Sequence, residues 1–157
     1  MVQTEAATRI FRVALHEDRR ISRDIEIDGA KSLYHLAEAI VGAFDFDFDH
    51  AFGFYSGTTP RTLMEKQPKY ELFTDLGMGM DMGFGPKAKS VKKTRLDKAF
   101  PNPGHAMTFL FDYGDEWLFR VEMTGSGQRA AKIRYPRVLE RKGESPPQYP
   151  TFDDEEE

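Results

Sequence analysis

Cysteine is absent from the 157 residues, which excludes a disulfide, a thiolate nucleophile and any zinc site built on thiolates. No apolar run approaches the roughly 20 residues that a membrane-crossing helix needs. Charged residues make up 31% of the chain, and the expectation is a water-soluble protein. The first ten residues lack the basic-then-apolar pattern of an export signal, so a cytoplasmic placement is expected. No internal repeat is visible, which removes solenoids and propellers. Tryptophan occurs once, whereas phenylalanine occurs 13 times and aromatics reach 13%. A chain of this length is expected to bury about two thirds of its unfolded surface, and the aromatic residues supply material for a core.

Acidic charge is concentrated at one end. Residues Asp153 to Glu157 are all acidic and turn a net charge of +1 into −4. Such a block repels itself, so residues 153–157 are expected to form a disordered tail, with a single domain over 1–152. Two basic clusters offer counterparts: Lys87, Lys89, Lys92, Lys93 and Arg95, and then Arg129, Lys132, Arg134, Arg137, Arg141 and Lys142.

Apolar residues recur at every second position from Arg9 to Leu15, with Phe11, Val13 and Leu15 on one side. Ile21, Ile25 and Ile27 repeat that period after the charged stretch at 17–20, which predicts a β-hairpin. Asp28-Gly29 breaks the pattern, and Ser32 stands where an N-cap hydroxyl accepts from free helix amides. Leu33, Leu36, Ala37, Ile40, Val41 and Phe44 follow at helical spacing, predicting a helix over Leu33–Ala43. Residues 50–55 read as a short strand carrying Phe52 and Phe54. Glycine and proline punctuate a long irregular stretch from Ser56 to Gly104, with brief ordered pieces at Tyr70–Phe73 and Leu96–Phe100. Alternation returns at 107–113 and 117–123, separated by Gly114-Asp115, a dipeptide suited to a tight turn with positive φ. Ile133–Arg141 reads as one more strand or short helix. The expected fold is α+β: hairpin, helix, strand, long loop and hairpin in a mixed or antiparallel sheet, one main helix packed on one face.

The run Phe109-Leu110-Phe111-Asp112-Tyr113-Gly114-Asp115-Glu116-Trp117 resembles the signature of the plasmid pRiA-type ORF-three-like family, also called the insertion-element passenger TnpR-like family. The strand and helix from Ile21 to Phe44, His50, and Tyr135-Pro136-Arg137 with Pro146-Pro147 agree with it, over about residues 9–147. The resemblance implies an α+β domain with a mixed sheet, in prokaryotes and partly within mobile elements. The chain departs from the family at four places. Phe52 and Phe119 stand where the family has histidines, Val138 where it has cysteine, and Gln148-Tyr149-Pro150 in place of a Glu-Asp-Cys-Gly-Gly run. If those polar positions form a metal or acid/base site in relatives, most of it is gone here.

Several residue groups invite a chemical reading. Asp45, Asp47 and Asp49 alternate as in a calcium loop, but His50 replaces the required glycine and Ser56 the closing glutamate. These acids are expected to face water while Phe44, Phe46 and Phe48 pack inward. Asp112 and Asp115 bracket a turn beside Trp117, and with His50 and Arg137 they form the candidate polar cluster. Asp at a turn ordinarily bonds nearby amides, and Trp117 reads first as a core anchor. Gly77 to Gly85 lacks the Gly-Lys-Ser/Thr ending of a phosphate loop and reads as a flap bearing Met78, Met80 and Met82. Lys87, Lys89, Lys92, Lys93 and Arg95 are the candidate nucleic-acid contacts. The four histidines show no metal-ligand spacing, and no cofactor is implied.

The leading expectation is a non-catalytic binding module of mobile-element-associated lineage. In it the aromatic-rich sheet and the Met-bearing flap meet a partner protein or, less readily, nucleic acid. The rival is a metal-assisted hydrolase or nuclease using Asp112, Asp115 and His50.

Overall fold

Alternating side chains place one apolar row on the same side of every long strand, and strand pairing joins those rows into a continuous surface. The computed structural model describes residues 7–77 and 88–149. Eight strands, β1 (Ala7–Leu15), β2 (Ser22–Asp28), β3 (Phe52–Tyr55), β4 (Lys69–Glu71), β5 (Lys89–Ser90), β6 (Ala106–Phe111), β7 (Trp117–Gln128) and β8 (Arg137–Lys142), form one sheet. Their order is β5-β4-β3-β6-β7-β1-β2-β8. All neighbours run antiparallel except β4 and β5, so the sheet is mixed.

Register aligns the apolar row. Phe54 faces Phe109, Phe109 faces Phe119, Val121 faces Val13, and Phe11 faces Ile25. All of these residues are buried, and Phe109 meets the rings of Phe54 and Phe119 with centroids 4.8 and 5.8 Å away. Each such ring contributes about 1.5–3 kcal/mol by leaving water. Helix α1 (Leu33–Ala43) covers this face with Leu33, Leu36, Ala37, Ile40 and Val41. The Ser32 side chain caps it, accepting from the His35 amide at 3.4 Å, and the Leu33 and Tyr34 amides reach the carbonyls of Thr94 and Val91. The first helix turn therefore has its donors satisfied within the protein.

The irregular stretch is more structured than its glycine and proline content suggests. It holds β4, β5 and the one-turn helices α2 (Leu72–Asp75) and α3 (Leu96–Ala99). The Asp75 carboxylate accepts from the Val91 amide at 2.8 Å and from Ser90, tying α2 to the loop after β5. Periodicity cannot register elements of two to four residues. The segment expected as strand or short helix at Ile133–Arg141 is strand β8, paired to β2 at the sheet edge. The Gly77–Gly85 run, apart from its first residue, and the acidic tail lie outside the described residues.

One expectation about the sheet is corrected. Positive φ in the β6–β7 turn belongs to Asp112 (70°) and Glu116 (56°), not to Gly114. Polar positions of β2 do not all face water: Arg23 and Glu26 are 3% and 5% exposed. Arg23 lies over the Phe44 ring and donates to the carbonyls of Ala43, Ser22 and Lys142. Burial and the neighbouring Arg141 guanidinium lower its pKa, while the carbonyl end of α1 supplies partial negative charge. Glu26 accepts from Thr8 at 2.6 Å and from Arg137 at 2.9 Å.

Behind β3 and β6, on the opposite face, Tyr55, Leu63 and Leu110 make a small second core. The Tyr55 hydroxyl donates to Glu71 and lies 2.7 Å from the Tyr113 hydroxyl. Burial, first of all, raises the pKa of both phenols. Gly53 makes room for the pair, since a Cβ there would fall 2.8 Å from the Tyr113 oxygen.

Candidate functional site

His50 follows the exit of α1, and Asp112 sits at the end of β6, so pairing of β3 with β6 brings the two together. His50 Nε2 lies 3.4 Å from Asp112 Oδ2, 3.5 Å from Asp49 Oδ1 and 2.6 Å from the Tyr149 hydroxyl. Tyr149 donates to Asp49 Oδ2 at 3.0 Å, which leaves His50 to donate to the phenol oxygen. Desolvation, the Asp49 bond and the nearby carboxylates push the Tyr149 phenol up to about 12. Gln148, 8% exposed, accepts from the Asp47 amide at 2.7 Å and donates to the Asp47 carbonyl. These bonds clasp residues 148–149 onto the loop after α1.

The carboxylates in this cluster have structural duties. Asp112 Oδ1 accepts from the amides of Gly114 and Asp115 at 3.1 and 3.3 Å, organising the turn. Asp115 joins through that amide. Among the described residues, no group of three His, Asp or Glu side chains is placed to hold a metal ion. Trp117 packs edge-on against Phe46 at 4.8 Å, and its buried Nε1 has no partner among the described residues. Phe52 and Phe119, at the positions of the family's other histidines, are fully buried rings. Asp45, Asp47 and Asp49 face water while Phe44 and Phe46 are buried and Phe48 is partly so.

Arg137 does not join this cluster. It sits on β8 at one edge of the sheet, pairs with Glu26, and lies over the Tyr135 ring at 5.5 Å. Of the expected nucleic-acid contacts, Lys87 lies outside the described residues, while Lys89, Lys92, Lys93 and Arg95 are exposed. Lys92 covers the Tyr34 ring at 5.0 Å, and Arg95 is bound to Asp97 at 2.7 Å. The aromatic sheet face, expected to meet a partner, is instead closed over by α1, with Phe52, Phe54, Phe109, Phe111 and Phe119 at 0% exposure.

A different site opens between α1 and the segment before β8. This cleft of about 400 Å³ is lined by apolar Ile27, Ala39 and Pro136, with Tyr135 beside them. Lys31, His35 and Glu38 enter from the helix side; Asp28 and Arg129 enter from the sheet side. Asp28 Oδ1 accepts from the Ala30 amide at 2.9 Å, and its Oδ2 lies 3.8 Å from Arg129. Arg129 and Arg137 both lie over Tyr135, and Arg137 is held by the buried Glu26. The wall of the cleft is therefore anchored to β2. The two halves of this site lie about a hundred residues apart in the sequence, and the i, i+3 spacing of His35 and Glu38 on α1 is its one local signal.

The family described as plasmid pRiA4b ORF-3-like protein matches residues 8–149. The crystal structure of a protein of unknown function, MM3350 from Methanosarcina mazei Go1, superimposes with a TM-score of 0.70 at 20% identity, covering 92% of this chain and 74% of that one. No curated protein matches. At that identity the likeness is one of fold. No helix among the described residues is long and apolar enough to cross a membrane.

Proposed function

This chain belongs to the plasmid pRiA4b ORF-3-like family, and we propose that it works as a non-catalytic, cytoplasmic binding module whose contact site is the cleft between α1 and Tyr135-Pro136. One observation carries the reading: charged groups of both signs converge on a space of about 400 Å³ that apolar Ile27, Ala39 and Pro136 also line, the mixed lining of a ligand pocket. The His50 cluster supports it from the other side. Asp112 Oδ1 is taken by two turn amides, and the His50 Nε2 that lies 3.4 Å from Oδ2 is bound to the Tyr149 phenol, so imidazole and carboxylate serve the clasp and the turn rather than forming an acid/base pair. The mobile-element lineage and a domain spanning 1–152 with an acidic tail belong to the same proposal.

Esterase, phosphatase and nuclease substrates supplied with Mn²⁺, Mg²⁺ or Zn²⁺ are expected to survive incubation with the purified chain. Turnover that disappears in both Asp112→Asn and Asp115→Asn would make the protein a metal-assisted hydrolase instead. The exposed Lys89 and Lys93 favour nucleic acid as a second class of partner. That version requires binding that weakens steeply with salt and is lost in a Lys89→Gln/Lys93→Gln variant.

A further inference from the structure

We propose that the cleft takes a small zwitterion of amino-acid type, its carboxylate held between Lys31 and Arg129 and its ammonium on Glu38. This rests on the cleft being the binding site. Asp28 is committed to the Ala30 amide and to Arg129, so it orients that guanidinium without reaching Lys31. Among the described residues, Lys31 and Glu38 have no ion-pair partner. Lys31 precedes the Ser32 cap of α1 and Glu38 lies on the helix itself, so the two unlike charges reach the same hollow from different parts of the chain.

A purely anionic guest would set its charge against Glu38, and a purely cationic one against Lys31 and Arg129. A guest carrying both charges meets a complement for each. His35 adds a directed donor. Its Nδ1 faces the Ser32 amide at 3.4 Å and hydroxyl at 2.9 Å, and an amide can only donate, so the neutral ring keeps its proton on Nε2. The N-terminal amides of α1 are already taken by Thr94, Val91 and Ser32, so recognition falls to side chains. Ile27, Ala39 and Pro136 offer apolar surface to the guest's side chain, and about 400 Å³ accommodates an amino acid or a dipeptide.

The test is a titration of the ¹⁵N-labelled full chain with the dipeptide Ala-Phe and with free phenylalanine, which separates the two sources of this chemistry. Saturable shifts are expected at the amides of Lys31, His35, Ala39 and Tyr135. N-acetylation or C-amidation of Ala-Phe, and separately Glu38→Gln or Lys31→Met, are expected to weaken binding roughly tenfold or more. Both variants replace exposed side chains, and unchanged amide spectra away from the cleft verify their folding. If blocked peptides bind as well as free ones, or if phenyl phosphate binds more tightly and ignores Glu38→Gln, the zwitterion is wrong and the cleft stands as a site for another ligand. If no probe, free or blocked, shifts a cleft amide at about 10 mM, the zwitterion and the binding role of the cleft fail together.

Discussion

Asp112 holds a left-handed φ of 70°, a conformation that Asp tolerates better than most residues because its short side chain bonds the local backbone. Its Oδ1 does so twice, to Gly114 and Asp115. Asp112→Asn keeps an acceptor oxygen and is expected to cost under about 1 kcal/mol, whereas Asp112→Ala loses the acceptor and keeps the strained φ, costing about 2–3 kcal/mol in urea unfolding. Equal losses in the two variants would place the role of Asp112 in its charge. Tyr55 gives a pH signature. Burial raises its folded-state pKa above the ordinary 10, so the unfolded chain releases this proton first. Stability is then complete below pH 10 and falls above it by about 1.4 kcal/mol per pH unit. Tyr55→Phe is expected to be less stable at neutral pH, because Glu71 and Tyr113 lose a partner, yet to show a shallower alkaline decline. Urea midpoints of both proteins between pH 8 and 11 measure it.

At the scale of elements, Ser32 caps α1 through the His35 amide, and Ser32→Ala is expected to cost about 1 kcal/mol. Glu26 ties Thr8 on β1 to Arg137 on β8. Glu26→Gln leaves Arg137 without its charge partner and is expected to cost about 1–3 kcal/mol, with faster hydrogen exchange concentrated in β8; uniform acceleration across the sheet would contradict the assigned anchor. Elements with many turns or alternations were readable in the sequence: α1 has Ser32 and a six-residue apolar stripe, and β1, β2, β6 and β7 alternate over six or more positions. β4, β5 and α2 were not, because they are shorter than any period and are fixed by contacts such as Asp75 to Val91. The burial of Arg23 and Glu26 was hidden for a related reason. It depends on β8, which pairs with β2 across more than a hundred residues. His50 lies 3.4 Å from Asp112, and Asp115 reaches Asp112 through its backbone amide, whereas Arg137 stands apart on β8 beside Glu26.

One core runs under α1 from β4 to β2, with Phe11, Phe54, Phe109 and Phe119 in the same cluster, so the described part of the chain is expected to unfold as one cooperative unit. The single Trp117 packs on Phe46 within it. Its fluorescence and the far-ultraviolet circular dichroism should therefore give coincident urea transitions; separated midpoints would mean that part of the sheet unfolds on its own. The open rim of β8 has a consequence for how copies of the chain behave when crowded. Suppose two such rims lay antiparallel. Centring them on Leu139 sets Arg137 opposite Arg141, and centring them between Leu139 and Glu140 sets Arg137 opposite Lys142. Like charges facing each other across a strand pair repel, so the basic residues of β8 keep its exposed backbone from templating a fibril.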